Sequence, residues 1–188
     1  MISTPFLGEL LDTELPLAEL CAVVLDGEAT RLGPAFAPID VPHGVRLRAR
    51  ALGLVLPSRH IADRRTAAWV HGALVALPRT LDACVRADER PSPMLGSEAR
   101  IRQVVIAETE IAILAGVSVT TPLRTIFDLL REPAFDDEGA DLVRRLSRIC
   151  RVSFEDCRRY LDSRSHLPRK SLTRSRLLHA FVQHEIAA

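Results

Sequence analysis

Apolar residues recur at helical spacing along most of the chain, interrupted by short stretches where apolar and polar positions alternate. Phe6, Leu7, Leu10 and Leu11 predict a short helix, and Leu17, Leu20, Cys21 and Val24 a second, started by Pro16 and ended at Asp26-Gly27. Ala29 to Pro38 predicts two short strands turning at Gly33-Pro34. Gly44 to Leu56 reads as a helix with Val45, Ala49 and Leu52 inward, Arg46 and Arg50 outward, and Pro57 as its stop. A brief strand at Arg59 to Ala62 follows. Asp63 then stands where it can cap a helix from Arg64 to Leu77, with Ala67, Val70 and Leu74 facing the core beside Trp69. Small residues at Ala67, Ala68, Gly72 and Ala73 let that helix approach a neighbour closely. Leu81 to Arg86 predicts a strand and Asp88 to Gly96 a loop with Pro91 and Pro93; Ile101 to Ala107 and Glu110 to Leu114 predict two more strands.

The best-formed join is Val117 to Leu130. Val117 and Val119 alternate with Ser118 and Thr120, the period of a half-buried strand. Thr121 is placed to cap, and Pro122 at the first helical position gives up no needed hydrogen bond. Leu123, Ile126, Phe127 and Leu130 form one apolar face. Arg124 and Asp128, off that face and four apart, can pair, in the order less favourable for the helix dipole, which gives a few tenths of a kcal/mol, roughly. The chain is then wholly helical. Leu142, Leu146 and Ile149 define one helix. Ser153 and Asp156 open another with Phe154, Cys157 and Leu161 buried, and a loop through His166-Leu-Pro-Arg-Lys170 leads to a last helix carrying Leu178, Phe181, Val182 and Ile186. The expected fold is α+β: a small mixed sheet with packed helices, a short helical, partly winged-helix-like segment before it and an all-helical part after it. The divisions fall at residues 1–40, 41–135 and 136–188.

At 188 residues, 47% hydrophobic and 26% charged, the chain can bury a core and is not a disordered segment. No apolar run approaches the roughly 18 residues that cross a bilayer, and the acidic first 25 residues do not read as a signal peptide, so no membrane partner and a cytoplasmic location are expected. Cys21, Cys84, Cys150 and Cys157 fall in no C-x-x-C pair and lie within apolar patterns, as reduced core thiols do. The net charge of +1 hides an asymmetry. Residues 1–40 hold seven acids against Arg31. Residues 158–176 hold Arg158, Arg159, Arg164, Arg169, Lys170, Arg174 and Arg176 against Asp162. An anionic partner would be met at the second stretch and repelled by the first.

Catalytic sets fail one by one. The six histidines are scattered, no two at a zinc-ligand spacing with carboxylate or Cys support, and His71 beside Trp69 fits a packed or pocket-edge residue better than a ligand. Gly96-Ser97 is not followed by the Asp-x-Asp that a nucleotidyltransferase needs. Asp82, Glu108 and Glu110 resemble a nuclease's acids on strands, but the lysine of such sites is missing. No Gly-rich phosphate loop is present. The expectation is a protein without a catalytic centre, metal or cofactor. The basic run is then either a solvated helical face or a docking surface for nucleic acid or an acidic protein, with one tyrosine, Tyr160, for base stacking. The helix–hairpin at 17–38 has the outline of the back half of a winged helix-turn-helix, yet Leu17 to Leu25 contains no base to present to DNA.

Arg65-Thr-Ala-Ala-Trp-Val-His-Gly72, Gly116-Val-Ser-Val-Thr-Thr-Pro-Leu-Arg-Thr-Ile-Phe-Asp-Leu129 and His166-Leu-Pro-Arg-Lys170 before a closing Arg-Leu helix share order and spacing with one family. Together they resemble the antitoxins of type IV toxin–antitoxin systems of the abortive-infection E kind, the AbiEi family, in their actinobacterial form. The resemblance covers roughly residues 45–180. It implies a C-terminal domain that counteracts a nucleotidyltransferase toxin, preceded by a winged helix that binds the operon's promoter DNA. It implies a binding protein, with Trp69, Thr121, Pro122, Arg124 and Asp128 as structural marks. A DNA-binding transcriptional regulator using Arg169, Lys170, Arg174 and Arg176 on phosphates, and a degenerate relative of a nuclease, remain the alternatives.

Overall fold

The computed structural model describes Leu10 and residues 16–90, 98–164 and 169–182. The expected helix at Phe6 to Leu11 apart from Leu10, the Gly96-Ser97 pair, most of the His166 loop, and His184 and Ile186 therefore lie outside the described residues.

Helix α1 (Leu17–Leu25) starts after Pro16 and closes with Asp26 and Gly27 donating to Ala22 and Val24. Strands β1 (Ala29–Leu32) and β2 (Ala35–Pro38) form an antiparallel hairpin across Gly33-Pro34. These elements match the sequence pattern because their start and stop signals are local. Only Leu20 of α1 is buried, and Leu17, Cys21 and Leu25 are exposed, so Cys21 is not a core thiol.

Helix α2 (Val45–Gly53) turns Leu47, Ala49, Ala51 and Leu52 inward, whereas Val45 faces out, one residue short of the buried stripe. Strand β3 (Ile61–Ala62) leads into α3 (Arg64–Val70). This helix is half the expected length. Gly72 takes φ +88°, and Ala73 donates back to Ala68 while Gly72 donates to Trp69, a left-handed closure that ends the helix. Asp63 holds the N-cap position but its carboxylate makes no cap bond; its Oδ2 accepts from Arg102 instead.

Strands β4 (Leu81–Arg86), β5 (Ala99–Val104), β6 (Ile111–Leu114) and β7 (Val117–Thr120) complete a five-stranded mixed sheet in the order β5-β4-β3-β7-β6. β4 runs parallel to β5 and β3 to β7; the β3–β4 and β6–β7 pairs are antiparallel. β5 ends three residues earlier than its pattern suggests, and Glu110 sits in a 3-10 turn before β6. Alternation sends Ala62, Leu81, Ala83 and Val119 into one core with α2, Trp69 and the hairpin residues Leu32, Ala35 and Ala37. The other face holds a small cluster of Ile61, Cys84 and Ile106, and the register there sets Asp82 beside Arg100 and Cys84 beside Arg102.

Helices α4 (Pro122–Leu130), α5 (Asp137–Cys150), α6 (Phe154–Asp162) and α7 (Lys170–Val182) pack a second core around Ile126, Leu129, Leu142, Leu146, Cys157 and Leu177. Ser153 and Asp156 make the reciprocal capping bonds expected of them at the start of α6. Ile149 and Leu178, placed on apolar stripes by the sequence, are exposed. The protein is thus a mixed α+β fold, and among the described residues no helix is long and apolar enough to cross a membrane.

Candidate functional site

The strand–helix join from Val117 to Leu130 sits at the centre of a buried charge network. Thr121 accepts from the Arg124 amide at 3.4 Å, with Pro122 in the first turn, so the cap forms as its residues predict. Arg124 and Asp128 were expected off the packed face, but they are only 5% and 2% exposed. The sheet and α6 cover that side of α4 with charge where an apolar stripe would predict water. Arg124 Nε donates to Asp128 Oδ2 at 2.9 Å and Nη1 to Glu110 Oε2 at 2.7 Å. Glu110 Oε2 also accepts from the Ala107 amide at 3.0 Å, and its Oε1 accepts from Tyr160 and Arg164. From the other end, Arg102 Nη2 lies 2.5 Å from Asp63 Oδ2 and 3.9 Å from Asp128 Oδ2.

Carboxylates and guanidiniums therefore alternate from Asp63 through Arg102, Asp128, Arg124 and Glu110 to Arg164. Such a chain of buried charges holds the elements in register, while removal of one member leaves its neighbours uncompensated. Burial alone would lower the Arg124 pKa, but Asp128 and Glu110 outweigh it and push it up. Burial also favours the acid form of Glu110, yet the Tyr160 hydroxyl, the Ala107 amide and the two arginines bring it below the usual carboxylate range. Asp63 behaves differently: burial outweighs Arg102 and raises it to about 6. Burial raises Asp82 as well, with Arg100 Nε 3.3 Å from its Oδ1. His71 is buried, its Nε2–H donating to the Thr120 carbonyl at 2.8 Å, and burial lowers its pKa, which favours the neutral imidazole.

The acids that resembled a nuclease set are not brought together. Glu108 pairs with Arg86, Glu110 with Arg124 and Arg164, and Asp82 with Arg100. Among the described residues no group of three or more His, Cys, Asp or Glu side chains could hold a metal ion. Trp69 is fully buried, with Arg48 stacked 5.4 Å from its ring centre.

The basic run divides into two groups. Arg158 and Arg159 pair with Glu155 and Asp156 of their own helix, and Arg174 reaches Asp162 at 2.5 Å. Arg164 belongs to the network, and Lys170 Nζ donates to the carbonyls of Asp162 and Arg164. Arg169 and Arg176 instead line a cavity of about 250 Å³ with Arg131, Leu172 and Thr173. Among the described residues no acid lines it. Arg176 is held by the Leu130 and Glu132 carbonyls at 3.0 and 2.7 Å and by the Phe135 ring, and Arg131 lies over Phe127. Burial lowers the Arg131 pKa, and Asp128 works against it. Leu172, 42% exposed, forms an apolar edge.

The sequence pattern marks neither Arg131 nor Arg102, and it gives Asp63 only a capping role and Tyr160 only base stacking. Arg100-x-Arg102 on a strand otherwise facing a core was a signal that one sheet face is charged. Arg131, just past the end of α4, carried none.

No family model and no curated protein matches the sequence. Among solved structures, the crystal structure of the RV2827C protein from Mycobacterium tuberculosis is similar at 18% identity and a TM-score of 0.48, over 90% of this chain and 66% of that one. This chain thus covers just under two thirds of that protein, and the likeness is too distant to carry a fold or a function across.

Proposed function

We propose that this chain is an antitoxin-like binding protein of a type IV toxin–antitoxin system, cytoplasmic and without chemistry of its own, that counteracts a nucleotidyltransferase toxin. The observation that supports it most is the pocket of Arg131, Arg169 and Arg176, three guanidiniums without an acid among the described residues that line it. Two of them are clamped by rings or carbonyls. Preformed positive charge beside an exposed leucine suits a protein partner that offers carboxylates around an apolar anchor. The buried acids add support, since the guanidiniums they hold leave them poorly placed to act on a substrate. The three segments that resemble AbiEi-type antitoxins supply the class of partner.

Control of its own operon through DNA fits the same arginines, joined by Arg174, but α1 offers exposed Leu17 and Leu25 and no base to a duplex. The test is calorimetric titration of the full chain with the nucleotidyltransferase encoded beside its gene. The reading expects saturable binding. Absence of binding, with steeply salt-dependent capture of promoter DNA in its place, would favour the regulator.

A further inference from the structure

A larger cavity, about 760 Å³, lies between the β1–β2 hairpin, the α2 region and the segment from Val75 to Leu81. Its size is within the range of about 300–1,000 Å³ typical of small-molecule sites. Its charged and titratable lining residues are Arg31, His43, Arg48 and Arg79, and among the described residues neither Asp nor Glu lines it. The remaining wall is largely apolar, with Leu32, Val55, Val75 and Leu77 in it.

Arg48 is fixed in place. Its Nε donates to the His43 carbonyl at 3.0 Å, and Nη1 to the Trp69 and Leu74 carbonyls at 3.1 and 2.8 Å. Burial lowers its pKa, as expected where a cation is partly desolvated without a counter-ion. Arg31 is steadied by the Gly33 carbonyl at 3.2 Å, and Arg79 makes no ion pair among the described residues. Val75 is 94% exposed, an isopropyl group in water that a bound apolar body would cover. A site built for water or for a cation would hold acceptors where these arginines stand.

We propose that this cleft binds a small organic anion with an apolar body. Arg31 and Arg79 hold its carboxylate or phosphate, Arg48 sets the field, and Val55, Val75 and Leu77 cover the body. The inference does not depend on the antitoxin reading, because it uses none of the residues of the Arg131–Arg169–Arg176 pocket.

The test is calorimetric titration of the full chain with three probes: adenosine 5′-monophosphate, decanoate and inorganic phosphate. The expected result is saturable binding of adenosine monophosphate or of decanoate at least tenfold tighter than inorganic phosphate. The organic probe that binds identifies the head group. Arg79→Ala, on an exposed segment, should weaken that binding at least tenfold, about 1.4 kcal/mol. The double variant Arg31→Ala/Arg79→Ala should abolish it, and Arg145→Ala, at an exposed position of α5, should leave it unchanged. Unaltered near-UV circular dichroism of each variant establishes that the fold is retained. Failure of both organic probes to bind, binding no tighter than phosphate, or binding indifferent to Arg79 would overturn the proposal.

Discussion

Arg124 places its Nη1 2.7 Å from Glu110 Oε2, and this contact ties the helix of the strand–helix join to the turn that starts β6. The same guanidinium holds Asp128 through a separate nitrogen at 2.9 Å. Arg124→Met should therefore strand two buried carboxylates and lower stability by about 3–5 kcal/mol in denaturant titration. Arg124→Lys should recover little of it, because a single ammonium cannot reproduce the two-nitrogen geometry. A loss under 1 kcal/mol, roughly the value of an exposed ion pair, would show that the network contributes nothing to the join.

Asp63 supplies a pH dependence with a definite sign. Its folded pKa is about 6 against 3.8 for the free side chain. The folded protein binds this proton more tightly than the unfolded chain does. The stability it confers is thus fully present below about 3.8 and lost as pH rises through about 6. Asp82 and Glu132, also raised by burial, act in the same direction. Denaturation from pH 4 to 7 should show the stability of the native chain falling relative to Asp63→Asn, by about 3 kcal/mol at most. Carboxyl-carbon NMR should place the Asp63 midpoint near 6. Parallel stability profiles would contradict the assignment.

Gly33 turns the hairpin at φ +59°, where an added Cβ would lie 3.1 Å from Leu77 Cδ2 and 3.3 Å from Trp69 Cη2. Gly33→Ala combines left-handed strain with crowding and should lower stability by about 1–3 kcal/mol. Thermal unfolding followed by the emission of Trp69, the only tryptophan, reads both the loss and the displacement of the ring. An unchanged melting temperature and spectrum would mean that the hairpin does not bear on Trp69.

Much of the architecture was legible where the deciding chemistry is local. Pro16 and Asp26-Gly27 bound α1, Gly33-Pro34 turns the hairpin, and Thr121-Pro122 and Ser153/Asp156 start their helices as their residues predict. The end of α3 was not legible, because Gly72 ends it by a left-handed backbone that small-residue spacing does not reveal. The pairing of Arg124 with Asp128 could be read from their spacing. Its burial could not, since Glu110 reaches Arg124 from another element and is itself held by Arg164, both at long sequence separation. The basic run was visible as composition, but only the fold shows that Arg158, Arg159 and Arg174 are matched by acids while Arg169 and Arg176 meet Arg131 in a pocket.

The central claim, that this chain acts by binding through that pocket, is tested most directly by growth rescue. Cells expressing the nucleotidyltransferase encoded beside the gene would be supplied with the native chain, with Arg131→Glu/Arg169→Glu, or with Arg158→Glu/Arg159→Glu, each checked for equal folded protein. The account predicts rescue by the native chain, its loss by at least tenfold in colony count with the pocket pair reversed, and near-native rescue with the α6 pair reversed. No rescue by the native chain, or full rescue with the pocket reversed, would contradict it.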